Sequence, residues 1–179
     1  MADPTAAPPP ESDGPAYRLD PGYTLGERDM LEQWLEFHRA TLRWKLEGLD
    51  DEQVKQRSVS PSTMSLLGLM RHMADVERNW FRRVLAAETA PGIFWSDDDP
   101  DGEFDRVDDA VVADDVATWQ AEVAAARTIA AAHSLDDTGV RRGEPCSLRW
   151  IYVHMIEEYA RHNGHADLLR ERIDGATGD

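Results

Sequence analysis

Glu158 and His162 stand four residues apart near the C-terminal end of this chain. In an α-helix each residue advances roughly 100°, so residues four apart sit one turn apart on the same face. A carboxylate and an imidazole in that relation form a pair of metal donors or a proton-transfer couple. Read as a helix, the stretch places Leu148, Ile151, Met155, Tyr159, Ala166, Leu169 and Ile173 on one apolar stripe. His162 falls near the centre of that stripe and Glu158 towards its edge. A carboxylate turned towards a core is costly unless its charge is compensated. A metal ion, a buried base or a substrate pocket would each compensate it. His154/Glu158 and His162/His165 are rival pairs by spacing, and the plain alternative is a helix whose polar residues line its solvated edge.

Other segments offer a third donor. His72 borders the stripe formed by Leu69, Met73, Val76 and Trp80, Glu77 projects closer to it, and His38 lies within the stripe of Leu31, Leu35, Leu42 and Leu46. Each can equally be a hydrogen-bonded core residue, and periodicity does not choose between them. Cys146 is the single cysteine, which excludes an intrachain disulfide and suits a reducing compartment. Near the start of the last helix its thiolate could be favoured by the helix dipole; an inert, partly buried thiol is the plainer reading. The acidic cluster Asp97, Asp98, Asp99, Asp101, Glu103 and Asp105 lacks the ligand spacing of an EF-hand and reads as a solvated, mobile rim. Phe94 and Trp95 just before it would anchor that loop or fold over a pocket. Phosphate-binding glycine loops and a Gly-x-Ser-x-Gly elbow are both missing.

The elements that must position these groups are helical. Residues 1–22 are rich in Pro, Ala, Asp and Gly and read as a flexible tail. Four amphipathic segments follow, over about 25–48, 62–88, 108–135 and 147–173, with Gly48 as the stop of the first. A polar loop over 90–106 separates the second and third, and a turn over 136–145 separates the third and fourth. Strand-like alternation is nowhere sustained. The expected fold is all-α, a four-helix bundle forming a single domain over 23–179, and 179 residues suffice for a substantial core. A net charge of −16 argues against nucleic acid and anionic membrane surfaces as partners. With no apolar run long enough to span a bilayer and no signal-peptide pattern at the N-terminus, the chain reads as soluble and cytoplasmic.

The segment 61–72, containing Pro61-Ser62-Thr63-Met64-Ser65-Leu66-Leu67 and ending at His72, continues through Val76-Glu77-Arg78-Asn79-Trp80-Phe81 and resembles the second helix of the DinB-like superfamily. His154-Met155-Ile156-Glu157-Glu158-Tyr159-Ala160-Arg161-His162-Asn163-Gly164-His165 resembles that family's last helix, and 39–49 its first helix in one branch. The resemblance spans about 28–174. It implies a DinB-type four-helix bundle, a homodimer, and a divalent metal held by one side chain of the second helix and two of the last. Many members use three histidines. The glutamate here places the chain nearer the subgroup similar to mycothiol-dependent maleylpyruvate isomerase and to mycothiol and bacillithiol S-transferases.

Carried over by position, the resemblance implies His72, Glu158 and His162 as ligands, with Gly164 fixing the register. His38, Glu77, His154 and His165 are then pocket residues. Such donors accept Zn²⁺, and also Ni²⁺ or Fe²⁺. The expected activity is a zinc-dependent thiol transfer, with a low-molecular-weight thiol attacking an electrophilic small molecule. Arg71, Arg78, Arg82 and Arg161 are cations available to a thiol's carboxylate. A metal-dependent hydrolase, with Glu77 or His38 carrying the proton, and a non-catalytic stress-related bundle are the competing expectations.

Overall fold

In the computed structural model, residues 14–178 are described, and they are mostly helical. Helix α1, Glu27–Leu46, buries Leu35, Leu42 and Leu46 and carries Glu27 and Asp29 in its first turn, where the helix dipole favours negative charge. The chain leaves it through Gly48 at φ 79°, a left-handed conformation that suits glycine. A short α2, Asp51–Lys55, is closed by a capping box between Asp50 and Gln53.

Helix α3, Leu66–Glu77, is capped by Ser65, whose hydroxyl accepts from the Gly68 N–H. It continues not as an α-helix, as the periodicity over 62–88 predicts, but as a π-helical stretch, Arg78–Leu85. Trp80, Phe81, Val84 and Leu85 of this stretch are buried. After α4, Gly102–Asp105, and α5, Val112–Ala131, the chain forms a two-stranded antiparallel hairpin, β1 Thr138–Arg141 and β2 Glu144–Ser147. The sequence reading has only a turn there. The strands are too short for alternation to register, and the turn at Arg142 and Gly143 has positive φ at both residues, the geometry that closes a two-residue hairpin. Strand β1 approaches the π-helical end so closely that a side chain at Gly139 would collide with the Val84 carbonyl. Helix α6, Leu148–Asp174, starts at the Ser147 cap and stops at Gly175, φ 82°.

Helix α1 packs on α6, α3 and its π-helical continuation pack on α5, and α3 also packs on α6. Leu35, Leu42, Leu66, Leu69, Met73, Phe81, Ile151, Met155 and Tyr159 form the centre of the core. One polar network crosses it. Arg39 donates to both oxygens of Glu77 (2.7 and 2.6 Å), the Tyr159 hydroxyl donates to Glu77 at 2.8 Å, and the Trp119 indole donates to that hydroxyl at 3.0 Å.

Two loop expectations change. Residues 1–13 of the expected tail lie outside the described residues, but its remainder packs on α1: Arg18 is buried, donates to Thr41 at 2.9 Å and covers the Phe37 ring. The loop over 90–106 is no uniform rim either. The Asp75 carboxylate accepts the N–H groups of Ile93 and Phe94 at 2.7 and 3.0 Å, Arg71 covers the Phe94 ring, and Glu103 is buried. Asp97, Asp98, Asp101 and Asp105 are exposed, as a solvated loop requires. Among the described residues, no helix is long and apolar enough to cross a membrane.

Candidate metal centre

Helices α3 and α6 bring His72, Glu158 and His162 together, with one donor atom from each all within 4.8 Å of one another. His162 Nε2 lies 3.4 Å from Glu158 Oε2. That matches the edge of about 3.4 Å expected between donors around a tetrahedral ion with zinc–ligand bonds near 2.1 Å. The rings of His72 and His162 are 4.7 Å apart at their centroids. The three side chains are 26, 19 and 13 % exposed, in the order His72, Glu158, His162, so the cluster can be reached from solvent while its walls are packed. Burial, reinforced by the fields of His72 and His165, pushes the His162 imidazole down to about 4. Neutral imidazole is the form that donates to a metal.

Each member has a neighbour behind it. His72 Nδ1 faces Glu103 Oε1 at 3.2 Å, and His162 Nδ1 faces His165 Nδ1 at 3.4 Å. Glu158 Oε1 is 3.5 Å from His154 Nε2, so its carboxylate lies between two imidazoles. His154 stacks on Trp150 with centroids 5.0 Å apart and meets the edge of Trp80 at 4.5 Å. Imidazole and carboxylate are a donor set that zinc, nickel or iron(II) accepts, so these residues fit the implied ion. A second group, His154, Glu157 and Glu158, has equally close donors but comes from one helix, and its Glu157 is exposed and paired with Arg161.

Other residues singled out by spacing lie elsewhere. His38 packs against Trp34 and Phe37, and Asn163 donates to its backbone carbonyl at 3.0 Å. Glu77 is fully buried in its pairing with Arg39 and Tyr159. The four arginines are engaged: Arg71 with Asp115, Arg78 with Glu122, Arg82 with Glu88 and Glu122, Arg161 with Glu157. Cys146 is buried in β2 and not on a helix, and burial pushes its thiol up, which removes the dipole argument for a thiolate. Phe94 anchors its loop beneath Arg71. The residue that sequence reasoning missed is Glu103. It sat among five aspartates that looked alike, and only its difference in type and the adjacent Phe104 set it apart.

A cleft of about 700 Å³ opens between α1 and α5, lined by residues including Phe37, Arg39, Trp119, Val123 and Arg127. His72, Glu158 and His162 do not line it, whereas Arg39 and Trp119 of the Glu77 network do.

A family model described as MST, mycothiol-S-transferase, matches residues 30–175. This is nearly the span over which the DinB-like resemblance runs. Comparisons with curated proteins and with solved structures gave no match.

Proposed function

The chain belongs to the mycothiol-S-transferase family, and on that premise we propose that it is a metal-dependent thiol S-transferase joining a low-molecular-weight thiol such as mycothiol to an electrophilic small molecule. The observation that carries this reading is the convergence of His72, Glu158 and His162 from two helices, with donors within 4.8 Å of one another. Two imidazoles and one carboxylate suit zinc and leave one tetrahedral position for an exchangeable ligand, the catalytic pattern and not the structural one. An ion held there supplies the positive charge that keeps a thiol ionised at neutral pH.

The chain's own residues do the rest. His72 and His162 would present imidazole nitrogens, and Glu158 would bring negative charge to the same point. His154, 3.5 Å from Glu158 Oε1, would take the thiol's proton and pass it to the leaving group or the adduct. Overall, an S–H bond breaks, an S–C bond forms to the electrophile, and the proton ends on the departing or newly formed group. Trp150, half exposed beside His154, offers the electrophile an aromatic wall. We further take the helical assembly as a DinB-type four-helix bundle, one domain over 23–179, acting as a cytoplasmic homodimer.

Metal content measured by elemental analysis tests the site in the wild type, His72→Ala, Glu158→Ala and His162→Ala. The expected result is one equivalent in the wild type and a large loss in each variant. Equal stoichiometric metal in all four proteins would refute the ligand set. Thiol consumption across a panel of electrophiles then tests the activity; chelator-sensitive turnover without thiol would point to hydrolysis instead.

A further inference from the structure

Burying a carboxylate is costly without a compensating cation or a full set of hydrogen bonds. Glu103 is 7 % exposed. Among the described residues no lysine or arginine pairs with it, and its one ionisable partner is His72, through Oε1 at 3.2 Å. Its second oxygen, Oε2, is buried with no partner. Such a group calls for positive charge nearby.

The chain goes to some length to put it there. Helix α4 starts at Gly102, where a side chain would strike the Phe94 carbonyl, so only glycine permits the tight entry. It docks on α3 at Gly68, where a Cβ would come within 2.8 Å of the Phe104 ring and 3.4 Å of the Glu103 carbonyl. Phe104 stacks on the His72 ring at 5.8 Å, with 25° between planes. Arg57 ties down the far side, donating to the carbonyls of Phe104 and Asp105 and to the Asp108 carboxylate. His72 is thus held by a ring on its face and a carboxylate at its Nδ1.

Resting on the ligand set proposed above, we infer that Glu103 is the positioning residue of this centre. It holds the proton of His72 on Nδ1, which leaves Nε2 as the nitrogen free to donate to an ion. It also supplies a second negative charge, so that a divalent ion with Glu158 and Glu103 makes a neutral group. Carboxylates behind metal-bound histidines orient the ring and raise its basicity, and their loss typically weakens metal binding by about 10–100-fold.

The test uses the full-length protein and zinc alone, with affinity read by competition against a chromogenic chelator. Glu103→Ala is expected to bind zinc about 10–100-fold more weakly. Glu103→Gln keeps an acceptor for Nδ1–H and loses only the charge, so it is expected to fall between Glu103→Ala and the wild type. Arg57→Ala loosens the loop but leaves the Glu103 carboxylate in the chain; its melting temperature should fall and its zinc affinity should drop by clearly less than that of Glu103→Ala. In the metal-free proteins, long-range proton–nitrogen NMR should place the His72 proton on Nδ1 in the wild type and Glu103→Gln. In Glu103→Ala that preference should be lost. Unchanged affinity and tautomer in Glu103→Ala would overturn the inference, and so would Arg57→Ala weakening zinc as much as Glu103→Ala. Failure of the wild type to bind zinc overturns the ligand set instead, and the His72 tautomer in the metal-free protein still decides the role of Glu103.

Discussion

Replacing Arg39 with methionine removes the cation that Glu77 pairs with deep in the core. The Glu77 side chain is 0 % exposed and that of Arg39 5 %, so Glu77 depends on the guanidinium and not on bulk water to balance its charge. Glu77 would keep one donor, the Tyr159 hydroxyl, and lose two charge-assisted bonds of 2.7 and 2.6 Å. Breaking a buried pair from one side costs about 3–5 kcal/mol, whereas replacing both partners by apolar groups of similar volume is often close to neutral. Glu36, the other acid that Arg39 reaches, retains Arg127, so it adds little to the cost. For a domain of this size about 1 kcal/mol shifts the melting temperature by roughly 2–4 °C, so Arg39→Met should lower it by roughly 6–20 °C. Arg39→Met with Glu77→Leu should recover most of that loss. Urea unfolding followed by far-UV circular dichroism measures both. Because Glu77 lies on the helix of His72 and Tyr159 adjoins Glu158, zinc affinity should fall in the single variant and return in the double. A single variant within about 1 kcal/mol of the wild type, or a double no better than the single, would refute the argument that an uncompensated Glu77 charge is what matters.

Gly139→Ala should prevent β1 from docking on the π-helical end, since the new Cβ collides with the Val84 carbonyl; a thermal melt within about 2 °C of the wild type would contradict it. Gly164→Ala should stabilise the monomer fold by about 0.5–1 kcal/mol, because the position is exposed within α6 and nothing lies within 4 Å of the added carbon. A loss of stability there, accompanied by dissociation on a sizing column, would mark that face as a contact between copies. Burial raises Tyr159, Tyr152 and Tyr17 above the ordinary value of 10.0, helped by Glu77, Glu32 and Glu47 respectively. A raised folded value means that their contribution is fully present below the unfolded value and is lost as pH climbs towards the folded one. The urea midpoint should therefore decline above pH 10, and Tyr152→Phe should flatten that decline.

What could be read in the sequence follows from the range of each signal. The helices of Leu35, Leu42, Met73 and Met155 repeat at 3.6 residues over many turns, and a period that long survives one ill-fitting residue. Their ends were marked by local chemistry too: Gly48 at positive φ, Ser147 as a cap. The same argument explains what was hidden. A change from α to π hydrogen bonding over Arg78–Leu85 leaves the composition untouched and moves only the register, which a period of 3.6 cannot report. Four-residue strands give too few positions to show a period of two.

The site divides in the same way. Glu158 and His162 share one helix face, so their relation is set by helix geometry alone, and spacing could find it. His72 required a second helix to be placed, which periodicity left open among His72, Glu77 and His38 and which resemblance supplied. Glu103 required more: a loop whose position depends on Gly102 and Gly68 admitting close approaches that no local pattern encodes. Each step away from the helix that carries Glu158 therefore rests on contacts more distant in sequence. By this reasoning the carboxylate behind His72 is the part of the proposed centre least tied to the helix motifs. Metal affinity should then vary with the loop while the three donors stay the same, and exchanging 90–106 alone should shift zinc binding without altering its stoichiometry.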